Sequence, residues 1–129
     1  MSGAKGNRKS PHSGIDNEIR HQLATLARRS GSRTTKFTRS RPTEWRPSEV
    51  RNPNGLIAPY FTDGDAWDLI ASRLEHGHHV EVVELRQPPM ATGYVMMINL
   101  GTDVPSVYVK LELGSGKIFG RSFHYSEHP

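Results

Sequence analysis

The sequence predicts an α+β fold: one helix packed on a four-stranded antiparallel sheet, preceded by a basic and partly disordered N-terminal arm. Its 129 residues are 34% hydrophobic, with a mean hydropathy of -0.63, which suits one small domain and a core confined to part of the chain. In the C-terminal half, one amphipathic helical pattern precedes four β-rich segments joined by short turns. That order favours an antiparallel meander with the helix on one face.

Charge divides the chain into two parts. Residues 1–55 carry 12 Lys and Arg against 4 Asp and Glu, whereas residues 56–129 carry 5 against 9. We therefore predict a basic flexible arm over 1–55 and a compact α+β domain over 56–129. A basic arm attracts phosphate backbones through counterion release, without reading sequence. A solubilising tail or an extension that binds a partner protein is the equally weighted alternative.

The arm contains one helical pattern. Asp16 can cap a helix over 16–29, in which Ile19, Leu23 and Leu26 recur at helical spacing. The residues before it are mostly Gly, Ser, Lys and Asn, so they have little to bury and are predicted to be disordered.

Residues 30–55 predict an extended, wrapping segment, because three prolines forbid a continuous helix. Phe37 and Trp45 are the aromatic residues of this arginine-rich stretch. Two roles remain open for them. They can stack on the bases of a single strand, or they can anchor the arm on its own domain.

The main helix is predicted over 63–76. Thr62 or Asp63 can cap it, acidic residues occupy its first turn, and Gly77 ends it. The apolar stripe that indicates this helix consists of Trp67, Ile70, Ala71 and Leu74.

The segment from His76 to His79 holds three histidines, but their spacing is not that of a helical metal-binding pair and no carboxylate follows at a suitable interval. We therefore predict no metal site. No phosphate-binding glycine loop appears either, and no cofactor is expected. The chain has no cysteine, which excludes disulfides and thiolate chemistry. It also has no long apolar run, so a cytoplasmic protein without a membrane span is expected.

Strands are predicted at 80–86 and 94–100, followed by a hairpin over 106–125 that turns at Gly114-Ser115-Gly116. Regular alternation sorts the hairpin side chains into two faces. One face carries cations, aromatic rings and one carboxylate: Tyr108, Lys110, Glu112, Lys117, Phe119, Arg121, Phe123 and Tyr125. His124 lies on the other face, unless a bulge at Gly120 or fraying after Phe123 turns it over.

A face with cations and rings suits single-stranded nucleic acid. In metal-free RNA cleavage a 2′-hydroxyl attacks the adjacent phosphate, which requires a proton acceptor, a cation and a proton donor. Lys110 and Arg121 suit the phosphate, His124 suits proton transfer, and Tyr125 can orient or stack. The predicted nucleic-acid contacts are Arg39, Arg41, Arg46, Tyr108 and Lys117. Alternatively, Lys110 and Arg121 belong to a solvated face with Glu112, and His124 is a hydrogen-bonded strand residue.

The segments YVMMINL, VYVKLEL and KIFGRSFHYS lie within residues 61–126, which resemble the MqsR-type toxins of bacterial toxin–antitoxin pairs, among the RelE-like messenger-RNA interferases. The resemblance implies a RelE-like domain, metal-independent endoribonuclease activity on free or ribosome-associated RNA, and neutralisation by a cognate antitoxin. It places catalysis on Lys110, Arg121, His124 and Tyr125. A non-catalytic module that binds nucleic acid or protein is the alternative, and a small structural or regulatory protein is a third.

Overall fold

The computed structural model describes residues 15–56 and 58–126, which form two α-helices, two single-turn 3-10 helices and a six-stranded sheet. Helix α1 spans Asn17–Arg28 and helix α2 spans Asp63–Glu75. The strands are β1 Arg33–Thr34, β2 Glu44–Trp45, β3 Glu81–Glu84, β4 Thr92–Ile98, β5 Val107–Leu113 and β6 Ile118–Tyr125. The α+β class and the helix predicted over 63–76 are confirmed. No helix within the described residues is long and apolar enough to cross a bilayer.

Each α-helix begins at a side-chain cap. The Asp16 carboxylate accepts a hydrogen bond from the backbone N–H of Ile19 at 2.9 Å. At the start of α2, Thr62 and Asp65 exchange side-chain and backbone hydrogen bonds in a capping box. The two helices pack side by side, and a bidentate pair between Arg28 and Glu75 joins their C-terminal ends.

The sheet is mixed, which corrects the prediction of a four-stranded antiparallel sheet. Strands β3 to β6 form the expected antiparallel meander. The short strands β1 and β2 then pair in parallel with the outer edge of β6. They come from the proline-rich segment and have two residues each, so no hydrophobic pattern marks them. Their pairing gives hydrogen-bond partners to backbone groups that an edge strand would otherwise leave open.

The helices cover one face of the sheet. Their contact with it forms a core in which the largest fully buried side chains include Trp67 of α2 and Phe123 of β6. Trp45 of β2 closes this core: its ring centroid lies 4.9 Å from that of Trp67, and its Nε1–H donates to Asp63 at 2.7 Å. Of the two roles left open for the arm's aromatic residues, Trp45 therefore has that of an anchor.

Residues 15–55 of the predicted arm are thus the part that supplies α1, β1 and β2. The helix predicted over 16–29 occurs as α1. The prediction of disorder before it falls on residues 1–14, outside the described residues.

Candidate functional site

A bulge in β6 decides which side chains share the uncovered face of the sheet. Lys110 pairs with Ser122, yet the next residue of β5, Leu111, pairs with Gly120. Arg121 is therefore an extra residue, and the alternation of β6 changes after it. His124 lies opposite Tyr108 and on the same face as Lys110, which is the arrangement expected if β6 contains a bulge.

Tyr125 falls on the other face, which corrects the placement predicted from regular alternation. It pairs with Val107 and packs against the helix-covered core. Its hydroxyl accepts a hydrogen bond from the backbone N–H of Arg51 at 3.0 Å. The extra residue thus exchanges the faces of His124 and Tyr125.

The uncovered face is the floor of a groove of about 730 Å³, hereafter the open-face groove. Tyr108, Lys110 and Ser122 line the floor. One wall comes from the arm and includes Phe37, Pro42, Thr43, Glu44 and Arg46. The other wall comes from the end of β3 and the turn that follows it, and includes Glu84 and Arg86. Three separate parts of the chain therefore build one concave surface.

Arg121 ties both walls to the floor. It is only 4% exposed, and it donates to Glu112 on β5 at 2.9 Å. It also donates to the carbonyl oxygen of Pro42 in the arm at 3.0 Å, and to that of Gln87 in the β3–β4 turn at 2.7 Å. Its guanidinium is thus held on all three sides, which gives it a positioning role in the groove.

Arg41 is fixed by the same carboxylate. It donates to both oxygens of Glu112, at 3.1 Å and 3.2 Å, and its guanidinium lies 4.4 Å above the Phe119 ring. Glu112 is buried, and its carboxylate forms ion pairs with both Arg41 and Arg121. These contacts fix the arm to the sheet at Arg41.

Lys110 is the contrasting cation. It is half-buried, and its ammonium makes no hydrogen bond or ion pair with any other residue that the structure describes. Burial lowers the pKa of Lys110, and the positive charge of Arg121 lowers it further, against the opposing effect of Glu44. The ammonium is therefore open to an external anion, and it gives up a proton more readily than an ordinary lysine does.

His124 presents one nitrogen toward the arm. Its Nδ1 lies 2.9 Å from the carbonyl oxygen of Tyr125, and because that oxygen only accepts, Nδ1 carries the proton. In the neutral ring Nε2 is then an unprotonated acceptor. Nε2 lies 3.5 Å from Glu44 Oε1, an ion-pair distance for a protonated ring, but it makes no hydrogen bond with the residues that the structure describes. It is buried from solvent, and His124 is not among the residues that line the groove.

Tyr108 flanks this ring, with the two ring centroids 5.5 Å apart. Burial raises the pKa of Tyr108, and the carboxylates of Glu81 and Glu44 raise it further, so the hydroxyl stays protonated. Tyr108 can therefore donate a hydrogen bond into the groove.

The other predicted nucleic-acid contacts differ in whether they line the groove. Arg46 lines the groove, and Arg39 is exposed in the loop that carries Phe37. Lys117 is exposed at the β5–β6 turn and does not line the groove. Sequence reasoning missed Glu44 and Arg86, since neither stands in a pattern and both reach the groove only through the fold.

The histidine-rich segment makes separate local contacts. His76 Nδ1 contacts the carbonyl oxygen of Ser72 at 2.7 Å, and His78 Nε2 contacts that of Met97 at 2.9 Å. Within residues 15–56 and 58–126, no group of three His, Asp or Glu side chains is placed to hold a metal ion. Comparison with known proteins finds no matching family model, no matching curated protein and no matching solved structure.

Proposed function

We propose that the protein is a toxin-like endoribonuclease that binds single-stranded RNA in the open-face groove and cleaves it by general acid/base chemistry without a metal. The observation that carries the proposal is the unengaged Lys110 ammonium on the groove floor, with the His124 imidazole on the same face of the sheet. His124 lies outside the groove lining, and its Nε2 is buried beside Glu44. The resemblance of residues 61–126 to MqsR-type toxins supports the same activity. RNA and a neutralising antitoxin are the partners that this function requires.

The spacing of the two groups suits a phosphate between them. Lys110 is directly opposite Ser122, so His124 is its diagonal neighbour on the same face. Diagonal neighbours in antiparallel sheets are roughly 7–8 Å apart, within reach of long side chains. A phosphodiester seated over Ser122 would place its leaving oxygen toward Lys110 and its 2′-hydroxyl toward His124.

The proposed reaction moves one proton at each group. A shift of the exposed Glu44 side chain uncovers His124 Nε2, which then takes the proton of the 2′-hydroxyl while that oxygen forms a bond to phosphorus. The bond between phosphorus and the 5′-oxygen breaks, and the Lys110 ammonium gives its proton to that oxygen. The products are a 2′,3′-cyclic phosphate and a 5′-hydroxyl. Solvent then returns a proton to Lys110 and removes one from His124.

The neighbouring charges support both groups. Glu44 faces Nε2 and stabilises the imidazolium that forms, while the Nδ1–H contact to Tyr125 fixes the ring. Arg46 is exposed on the groove wall, where it lies 3.7 Å from Glu44, and it can meet a flanking phosphate. Arg121 positions the floor and walls.

A binding module without catalysis is the second candidate. It is favoured by the occupation of Arg41 and Arg121 at Glu112, which leaves Lys110 as the unengaged cation of the predicted catalytic set. Such a module would grip RNA through Lys110 and Arg46 and leave it intact.

Cleavage of a single-stranded RNA in buffer containing EDTA separates the two candidates. We expect wild-type protein to cut the RNA, and Lys110→Ala and His124→Ala each to lower the rate by about 100-fold or more, as removal of a general acid or base does. Arg29→Ala and His79→Ala are matched controls, since both residues are exposed and lie outside the groove lining. Wild-type protein that leaves RNA intact contradicts the enzymatic proposal, and active Lys110→Ala and His124→Ala variants contradict the assigned site.

A further inference from the structure

Phe37 is an aromatic residue of the open-face groove that the proposed chemistry does not use. Its side chain is 63% exposed although it lines the groove, and it does not belong to the hydrophobic core. The arm does not need it as an anchor, since Trp45, Arg41 and the Arg121 contact to Pro42 already hold this segment. An exposed ring on a groove wall is a surface for a flat ligand.

The loop that carries Phe37 is ordered by its own hydrogen bonds. The backbone N–H of Thr38 donates to the carbonyl oxygen of Arg41 at 3.2 Å, and the N–H of Arg41 donates to the Thr38 hydroxyl at 2.9 Å. The Arg41 side chain is in turn fixed on Glu112 and over Phe119. Phe37 is thus presented by a pre-organised turn, which reduces the entropy lost when a ligand stacks on it.

The charges around the ring favour a nucleotide over a purely apolar ligand. Arg46 lies on the same wall, Lys110 on the floor, and Arg86 on the facing wall beside Glu84. Grooves of this kind bind single-stranded nucleic acids: the cations contact the phosphates, and a base stacks on the aromatic ring. The Glu84 carboxylate can accept a hydrogen bond from an amino or imino group of that base.

We propose that Phe37 forms a subsite for one unpaired nucleobase, which stacks on its ring while the adjacent phosphate reaches Lys110. The inference rests on the proposed RNA-binding function of the groove and adds a preference for unpaired RNA. A base inside a duplex has neighbours on both of its faces and cannot offer one to the ring. The subsite therefore selects single-stranded segments before any bond is broken.

The test measures binding of a single-stranded RNA oligomer whose 2′-hydroxyls are all methylated, so that cleavage cannot occur. We expect Phe37→Ala to weaken binding by about 5- to 150-fold, the loss expected from one base–aromatic stack, and Phe37→Tyr to retain wild-type affinity. An oligomer with the same phosphates but no bases should bind wild type and Phe37→Ala equally. A matched duplex should show no dependence on Phe37.

Equal affinity of wild type and Phe37→Ala for the base-containing oligomer overturns the subsite. An equal loss on the abasic oligomer overturns it as well, because the effect would then come from the arm and not from a base. If no oligomer binds wild type, both the subsite and the RNA function fail. If Phe37 discriminates bases but natural RNA stays intact, the subsite stands and the cleavage proposal fails.

Discussion

The two faces of the sheet use the same strands for opposite purposes. On the helix-covered face, alternate residues of β5 and β6 are apolar and pack into a core around Trp67 and Phe123. On the open face, the intervening positions place Lys110, Glu112 and Arg121 within a few strand residues of one another. The first face stabilises the fold through buried area. The second holds charged groups that are costly to bury: Glu112 and Arg121 pair with each other, whereas the half-buried Lys110 has no such partner among the described residues.

The bulge at Arg121 determines which residues of β6 face the core and which lie on the open face. Without an extra residue, β6 would place His124 in the helix-covered core and Phe123 on the open face. With it, Phe123 enters the core and His124 joins Lys110. Gly120 lies beside the bulge, where a Cβ atom would come within 2.5 Å of the Trp45 ring. One irregular position therefore serves both the packing and the proposed chemistry.

Removing the carboxylate of the open face should have the largest effect on stability. Glu112→Ala leaves the buried Arg121 guanidinium without its counterion, and we expect a loss of about 3 kcal/mol in the free energy of unfolding. Chemical denaturation measures the loss. The double variant Glu112→Leu/Arg121→Met removes the buried pair and should recover part of that stability, since Arg41 still loses its carboxylate and the carbonyls of Pro42 and Gln87 lose their donor. A loss below about 1 kcal/mol for Glu112→Ala would show that the pair does not hold the groove together.

Filling the space beside the bulge should have an intermediate effect. Gly120→Ala brings a methyl group against the Trp45 ring, and the displacement of that ring should cost about 1–3 kcal/mol. Gly31→Ala is the matched control, because a Cβ atom there meets nothing within 4 Å. Thermal or chemical unfolding of both variants compares them. Equal stabilities would contradict close packing of the arm on β6.

Neutralising the lysine of the open face should have the smallest effect on stability, and one that depends on pH. The pKa of Lys110 is lowered in the folded state by burial and by Arg121, so the folded protein binds its proton less tightly than the unfolded chain does. The resulting destabilisation is fully present below the folded-state pKa and is lost as the pH rises to the ordinary lysine value.

Lys110→Met removes that dependence. The variant should equal or exceed the wild type in stability at neutral pH, by less than about 1 kcal/mol, as for other substitutions outside the core. The difference should shrink as the pH rises through the window between the folded-state pKa and the ordinary lysine value. Denaturation curves at several pH values check this, and a constant difference would contradict a perturbed Lys110.

The sequence predicts what local patterns encode. The cap at Thr62 and the stripe through Trp67 fix α2, and alternation and glycine turns fix the four strands of the meander. The strands β1 and β2 could not be predicted, because two residues carry no periodicity and their pairing depends on the distant β6.

The candidate site was predictable in composition but not in arrangement. Lys110 and His124 stand out in the sequence as suitable groups, yet their shared face depends on the register shift at Arg121. The burial of Arg121 likewise depends on Pro42, 79 residues away in the chain, and on Gln87. Contacts of this kind follow from tertiary packing, so no local sequence pattern predicts them.

The most direct test of the proposed chemistry replaces one hydroxyl in the substrate. A single-stranded RNA with one preferred cut by wild-type protein is compared with the same strand carrying 2′-deoxyribose at the nucleotide before that cut, in the presence of EDTA. The proposed mechanism predicts that cleavage at that bond stops and that the unmodified RNA yields 2′,3′-cyclic phosphate and 5′-hydroxyl ends. Continued cleavage of the deoxy-substituted bond, or products with 5′-phosphate ends, would contradict it.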